Sequence, residues 1–251
     1  MSGTMNIEDY LAQGGVLSSP DNAPARYRGE LMRMMSSFVD SELAGSAGFA
    51  DAINFAPAIK ERIAASRITL EKADHAERVL AIMGDFGTDT ARYQAMHDWS
   101  ARLPREAAHN AERIGSDMRL SVFHYPLEGW TDAVVMNVLM GLASGVQLAE
   151  LSRVSYGPLA EVFRGVAPRE ARHAELGREG LEKITATPEG RAEAMASIAY
   201  WQPRVAASFG APASARYETQ ARFGLRHTPN AAMRADWEKQ VAAVLAALDL
   251  N

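Results

Sequence analysis

Along most of the chain apolar residues recur at three- and four-residue steps, a spacing that predicts helices. Between Ala25 and Phe49, residues Leu31, Met34, Met35, Phe38, Val39 and Leu43 fall mostly on one face. Pro57 stands where a second helix can begin. Ile59, Ile63, Ile68, Val79 and Met83 carry that helix through 56–86, until Gly84 and Gly87 of "GDFGTD" break it. The more polar stretch from Thr88 to Phe123 reads as two shorter helices around Pro104. Pro126 and Gly129 mark another break, and "WTDAVVMNVLMGLASGVQLAEL" follows, apolar nearly all round. A helix apolar on every face is a buried one, here over 129–152. "SYGP" at 155–158 is a turn, and a further helix spans 157–184. The tail carries "YWQPRV", a loop with "GAPASA" and a last amphipathic helix over 230–248. Residues 1–24, with "GG" and "SSPDNAP", read as a loose arm.

No strand pattern, internal repeat or low-complexity tract appears. The expected fold is all-α, one helical domain over 25–251. Its four long helices form a bundle, and the roughly forty-residue excursion between the second and third fits a bundle with one long crossover.

Composition narrows the chemistry. The chain has 251 residues, 47% of them hydrophobic, enough for a sizeable core. Cysteine is absent, which removes disulfides, thiolate nucleophiles and iron–sulfur clusters held by this chain. A net charge of −5 argues against a nucleic-acid partner, whose phosphates call for a basic face. No apolar run is expected to reach the length of a membrane span. Residues 1–22 lack the basic start and apolar stretch of a secretory signal. A cytoplasmic protein is therefore expected.

Any metal would be held by His, Asp and Glu. In carboxylate-bridged di-metal bundles two helices give one carboxylate each, and the other two give a Glu-x-x-His pair. Residues three apart on a helix share a face about 5–6 Å apart, so both can reach one ion. Each long helix offers a candidate: Glu42 on the first, His75 on the second, Asp132 on the third, Glu170 and His173 on the fourth. Taken singly, each has an ordinary reading. Glu42 can face solvent, His75 or His173 can be a surface or core histidine, and Asp132 suits a helix first turn. Their order along four helices is the stronger signal. Carboxylates with imidazole suit iron, or manganese.

Several stretches resemble the catalytic-subunit family of the bacterial phenylacetyl-CoA ring-epoxidising monooxygenases, which are ferritin-like. They are "YRGELMRMMSSFVDSE", the apolar helix with "SYGPLAEVF", "EARHAELG", "YWQPRVAASFGAP" and "FGLRHTPNAAMRADWEKQV". The resemblance implies a ferritin-like bundle and irons held by Glu42, His75, Asp132, Glu170 and His173. It also implies an aromatic or acyl-CoA substrate, an external reductase, and a partner subunit of the same fold or a homodimer. Lys72 departs from the pattern, standing where the family has a bridging Glu.

That departure changes the site charge by two units. Three carboxylates and one ammonium suit one divalent ion, not two. Lys72 is then a neutral ligand, or turns away, or replaces a metal by pairing with Glu42 and Glu170; it is also the candidate catalytic group. A one-residue shift in register would instead bring Glu71 inward. Two function classes follow: an oxygenase with an altered centre holding one or two iron ions, or a metal-free subunit that pairs with a catalytic homologue. Five retained ligand types favour the oxygenase. A ferritin-like RNA hydroxylase is weaker, given the acidic balance. For CoA phosphates the candidate cations are Lys60, Arg62, Arg67, Arg153, Arg169 and Arg172.

Overall fold

The structure, a computed structural model, describes residues 6–109, 111 and 116–250. Among them lie nine α-helices and no strand. In chain order they are α1 (Ile7–Ala12), α2 (Ala25–Ala52), α3 (Ile59–Asp85), α4 (Thr90–Gln94), α5 (Trp130–Leu151), α6 (Gly157–Ile184), α7 (Pro188–Ala206), α8 (Ala215–Arg222) and α9 (Asn230–Ala247). The bundle is α2, α3, α5 and α6, within a few residues of the expected spans. It is a ferritin-like four-helix bundle with a long crossover.

Local chemistry sets the helix ends. Gly129 precedes α5 at φ 97°, a left-handed conformation that favours glycine. Pro158 opens α6 where a missing N–H is harmless. Thr187 caps α7 by accepting from the Gly190 N–H.

Two apolar clusters fill the interior. One gathers α5 with α7 and α9, around Trp201 and Trp237. The other gathers α2, α3 and α6, around Tyr27, Met35 and Phe163. α5 meets the length and composition of a membrane span, contrary to the sequence expectation. Of its most apolar window, 61% is buried inside the protein, the place of a core helix.

Two further expectations change. The stretch 88–123 holds one short helix, α4, with a 3-10 turn at Ser121–His124, rather than two helices around Pro104. Side chains hold it in place of regular structure: Asp40 of α2 accepts from Tyr93 Oη at 2.8 Å and Met118 N at 2.6 Å. Arg119, 1% exposed, donates to Asp117 and to three backbone carbonyls. Residues 1–5 of the expected arm lie outside the described residues. The rest of that arm is packed, with Leu11 and Leu17 buried. Leu17 N donates to Ser155 O and Gly157 N donates to Leu17 O, so the arm pairs with the "SYGP" turn.

Candidate functional site

Helical spacing delivers the polar centre. Lys72 and His75 sit three apart on α3, and Glu170 and His173 three apart on α6, so each pair shares a face. Glu42 joins them from α2. All five are buried, none more than 6% exposed. Lys72 Nζ donates to Glu42 Oε1 at 3.1 Å and to Glu170 Oε1 at 3.0 Å. His75 Nδ1 lies 3.1 Å from Glu42 Oε2 and 3.3 Å from Glu170 Oε1. His173 Nδ1 lies 3.1 Å from Glu170 Oε1, and its Nε2 lies 2.6 Å from Glu71 Oε2. The register is therefore the one that turns Lys72 inward, with Glu71 beside it reaching His173 from a half-buried position.

The charges support one another. Burial works against the Lys72 ammonium, but Glu170 and Glu42 outweigh it and hold its pKa above the ordinary lysine value. Burial likewise disfavours the Glu170 carboxylate. Lys72, with the hydrogen bonds of His173 and His75, more than offsets that and places it well below 4.5. Burial also opposes charge on His75, while hydrogen bonds to Glu170 and Glu42 raise it overall. Lys72 thus points inward and pairs with both Glu42 and Glu170.

Asp132 does not join this centre. It accepts from both terminal nitrogens of Arg105 (2.5 and 2.9 Å), from Ser197 Oγ at 2.8 Å, Trp201 Nε1 at 2.6 Å and Glu128 N at 2.9 Å. Arg105 also lies 3.7 Å over the Tyr200 ring. Asp132 thus fastens α5 to α7 and to the end of the crossover. Along α5 it is about 12 Å, eight residues, from Met140. Met140 is the first of the α5 side chains that share a cavity with Glu42 and Glu170.

A two-iron centre of this fold needs four carboxylates and two imidazoles. Among the described residues the cluster offers Glu42 and Glu170, with Glu71 on the far side of His173, and an ammonium stands between the first two. The residues present do not fit two ions. One ligand atom from each of Glu42, His75 and Glu170 lies within 4.8 Å of the other two, a set for one ion. The Nε2 of His75 is buried with no hydrogen-bond partner among the described residues.

Glu42 and Glu170 of this centre line a cavity of about 380 Å³. Phe123 and Met140 contribute apolar walls, and Arg33, Arg216 and Arg226 also line it. Arg33 and Arg216 are exposed, so the cationic end is the mouth. Burial lowers Arg226 below the ordinary arginine value, and Glu150 only partly offsets that. Its Nε has no partner among the described residues. None of the six cations expected to meet CoA phosphates lines this cavity. Arg169 pairs with Asp74 and Arg172 with Glu175 and Glu179.

Sequence reasoning missed Met140, the three mouth arginines and the counter-ion of Asp132. For Met140 a signal existed. α5 and α6 form a hairpin about the Tyr156–Gly157 turn, and counting equal lengths each way sets Glu170 and His173 opposite 140–143. The packing of Gly141 on Ala174 agrees.

The fold and the buried Glu/His/Glu cluster define a ferritin-like helical protein. The particular family follows from the comparison. The model for the "Phenylacetic acid catabolic protein" family matches residues 5–251, and the chain belongs to that family. It is similar to one of the subunits of the 1,2-phenylacetyl-CoA epoxidase of Escherichia coli (strain K12), 25% identical over 184 residues. Those cover 73% of this chain and 54% of that protein, so the chain spans about half the length of the curated relative it matches.

Proposed function

We propose that this chain is a ligand-binding member of its oxygenase family in which the Lys72 ion pair takes the place of the metal centre. Its role is that of a partner to a metal-bearing relative. The observation that carries this is the ammonium of Lys72 between Glu42 and Glu170 at 3.0–3.1 Å. A dication beside a buried, charged lysine is strongly disfavoured. The third-helix carboxylate that supported an oxygenase centre is bound to Arg105 instead, so one of the five expected ligands is lost to the site.

The cavity supports the ligand half of the reading. The relative's name gives phenylacetyl-CoA, a molecule with an apolar aromatic end and an anionic end. Phe123 and Met140 suit the first, and Arg33, Arg216 and Arg226 suit phosphates or a carboxylate at the mouth. Ligand cavities of this size are ordinary for small molecules. The chain's own residues would then bind and orient the ligand and shield its buried end from water. The external reductase implied by the resemblance would serve the metal-bearing partner.

A second reading keeps the oxygenase, with one iron or manganese ion held by Glu42, His75 and Glu170 after Lys72 swings aside. The unpartnered Nε2 of His75 favours it. Elemental analysis after anaerobic loading and desalting separates the two. The proposal expects no stoichiometric metal, and one tightly held ion per chain together with oxygen consumption supports the second reading.

A further inference from the structure

Of the polar centre, Glu42 and Glu170 line the cavity, whereas Lys72, His75 and His173 do not. Three buried polar side chains line it in all: Ser41, Glu42 and Glu170. Ser41 Oγ has already given its hydrogen to Ser37 O at 2.6 Å, and it accepts from Leu120 N at 2.9 Å. The buried end of the cavity therefore offers a ligand hydrogen-bond acceptors and no free donor.

Those acceptors are not used up. Each carboxylate oxygen can accept about two hydrogen bonds. Among the described residues, Glu42 Oε1 meets only Lys72 Nζ, and its Oε2 only His75 Nδ1. Glu170 Oε1 is crowded by Lys72, His75 and His173, but its Oε2 meets only Lys72 Nζ, at 3.3 Å. Glu42 thus keeps room for a donor on both oxygens, and Glu170 on one. An apolar ring pressed against these oxygens would strip their water and give no hydrogen bond back.

We infer that the ligand carries a neutral hydroxyl at its buried end, donated to Glu42, and that this group sets the specificity of the cavity. The inference rests on the ligand reading above. A site built to hydrogen-bond a hydroxyl rejects the analogue without it far more strongly than an apolar pocket rejects an extra methylene. The charge at that end selects a hydroxyl over an ammonium. Lys72 Nζ already lies 3.0–3.1 Å from both carboxylates, and a second cation on them would stand beside it. With Arg33 and Arg216 at the exposed end, the ligand is a hydroxyl, an apolar body and an anion in line. An arylacetyl thioester with a para-hydroxyl has all three, its hydroxyl on the ring atom farthest from the thioester.

Isothermal titration calorimetry on the intact wild-type chain tests this with coenzyme A thioesters of para-hydroxyphenylacetate, para-methylphenylacetate and phenylacetate. Hydroxyl and methyl are close in size, so the first two differ chiefly in the donor. The hydroxyl thioester is expected to bind roughly tenfold to a hundredfold tighter than the methyl one, the range of a hydrogen bond to a charged group. Glu42→Gln keeps the volume and removes the ionised acceptor. It should cut that preference severalfold and leave the affinity for the methyl thioester unchanged. Equal affinity of wild type for the hydroxyl and methyl thioesters would overturn the inference and leave the ligand reading standing. So would a preference that survives Glu42→Gln in full, or tighter binding of the para-aminomethyl thioester, whose ammonium would mark a cationic ligand. Binding of none of these thioesters would overturn the ligand reading, and the inference with it.

Discussion

The bundle buries carboxylates in two places and neutralises them in opposite ways. At the centre, Glu42 and Glu170 share one ammonium from Lys72, with imidazoles filling the remaining sides. At the start of α5, Asp132 alone takes a forked arginine, a serine, an indole and a backbone amide. The Asp132 set is saturated and surrounded by Trp201 and Tyr200, so it serves as a structural rivet. The Lys72 set borders a cavity and leaves one histidine nitrogen without a partner among the described residues. A buried acid therefore signals function only where its partners leave a polar group, or space, unused.

Removing Lys72 should have the largest effect. Lys72→Met strands two buried carboxylates, and breaking such a pair costs on the order of 3–5 kcal/mol. Urea denaturation at neutral pH measures this. A loss below about 1 kcal/mol would mean that water already screens the pair.

Asp132→Asn comes next. It keeps the volume but removes the charge that Arg105 and Trp201 address, and hydrogen bonds to charged groups are worth about 1.5–3 kcal/mol each. The predicted loss is of that order, with ligand binding in the cavity unchanged. Weakened ligand binding without a stability change would place Asp132 in the functional site after all.

The smallest effect is in the pH dependence. Glu170 is held below the ordinary value of 4.5, chiefly by Lys72 against the penalty of burial. Its contribution is complete above 4.5 and is lost as the pH falls through the lowered value. In Lys72→Met that contribution is absent, so the stability gap from wild type should shrink as the pH drops below 4.5. His75 has the opposite sign: its pKa is raised above 6.5, so its contribution is present below that and is lost as pH rises through the folded value. A gap that stays constant from pH 7 to about 3 would show that Lys72 does not set the ionisation of Glu170.

Much of this was legible in the sequence, because helical period and punctuation carry it. Four long helices, the crossover and the "SYGP" turn follow from helical spacing and its breaks, whereas the inward register of Lys72 over Glu71 rested on the family resemblance. The internal structure of the crossover was not legible, since Asp40 and Arg119 hold it through bonds between residues far apart in sequence. Helix α7 was obscured by Pro203, which lies inside it. Asp132 misled because it is the one acid early in an apolar helix, and composition cannot tell a rivet from a ligand. The arginines at the mouth come from α2, α8 and the loop beyond, which no local pattern brings together.

The claim that Lys72 stands in for the metal is tested most directly by iron content. Wild type and Lys72→Glu would be loaded anaerobically with ferrous iron, desalted and analysed side by side. Lys72→Glu removes the ammonium and completes a Glu-x-x-His pair on α3. The account predicts no stoichiometric iron in wild type and at least one iron per chain in Lys72→Glu. Wild-type protein that retains two irons per chain would contradict it.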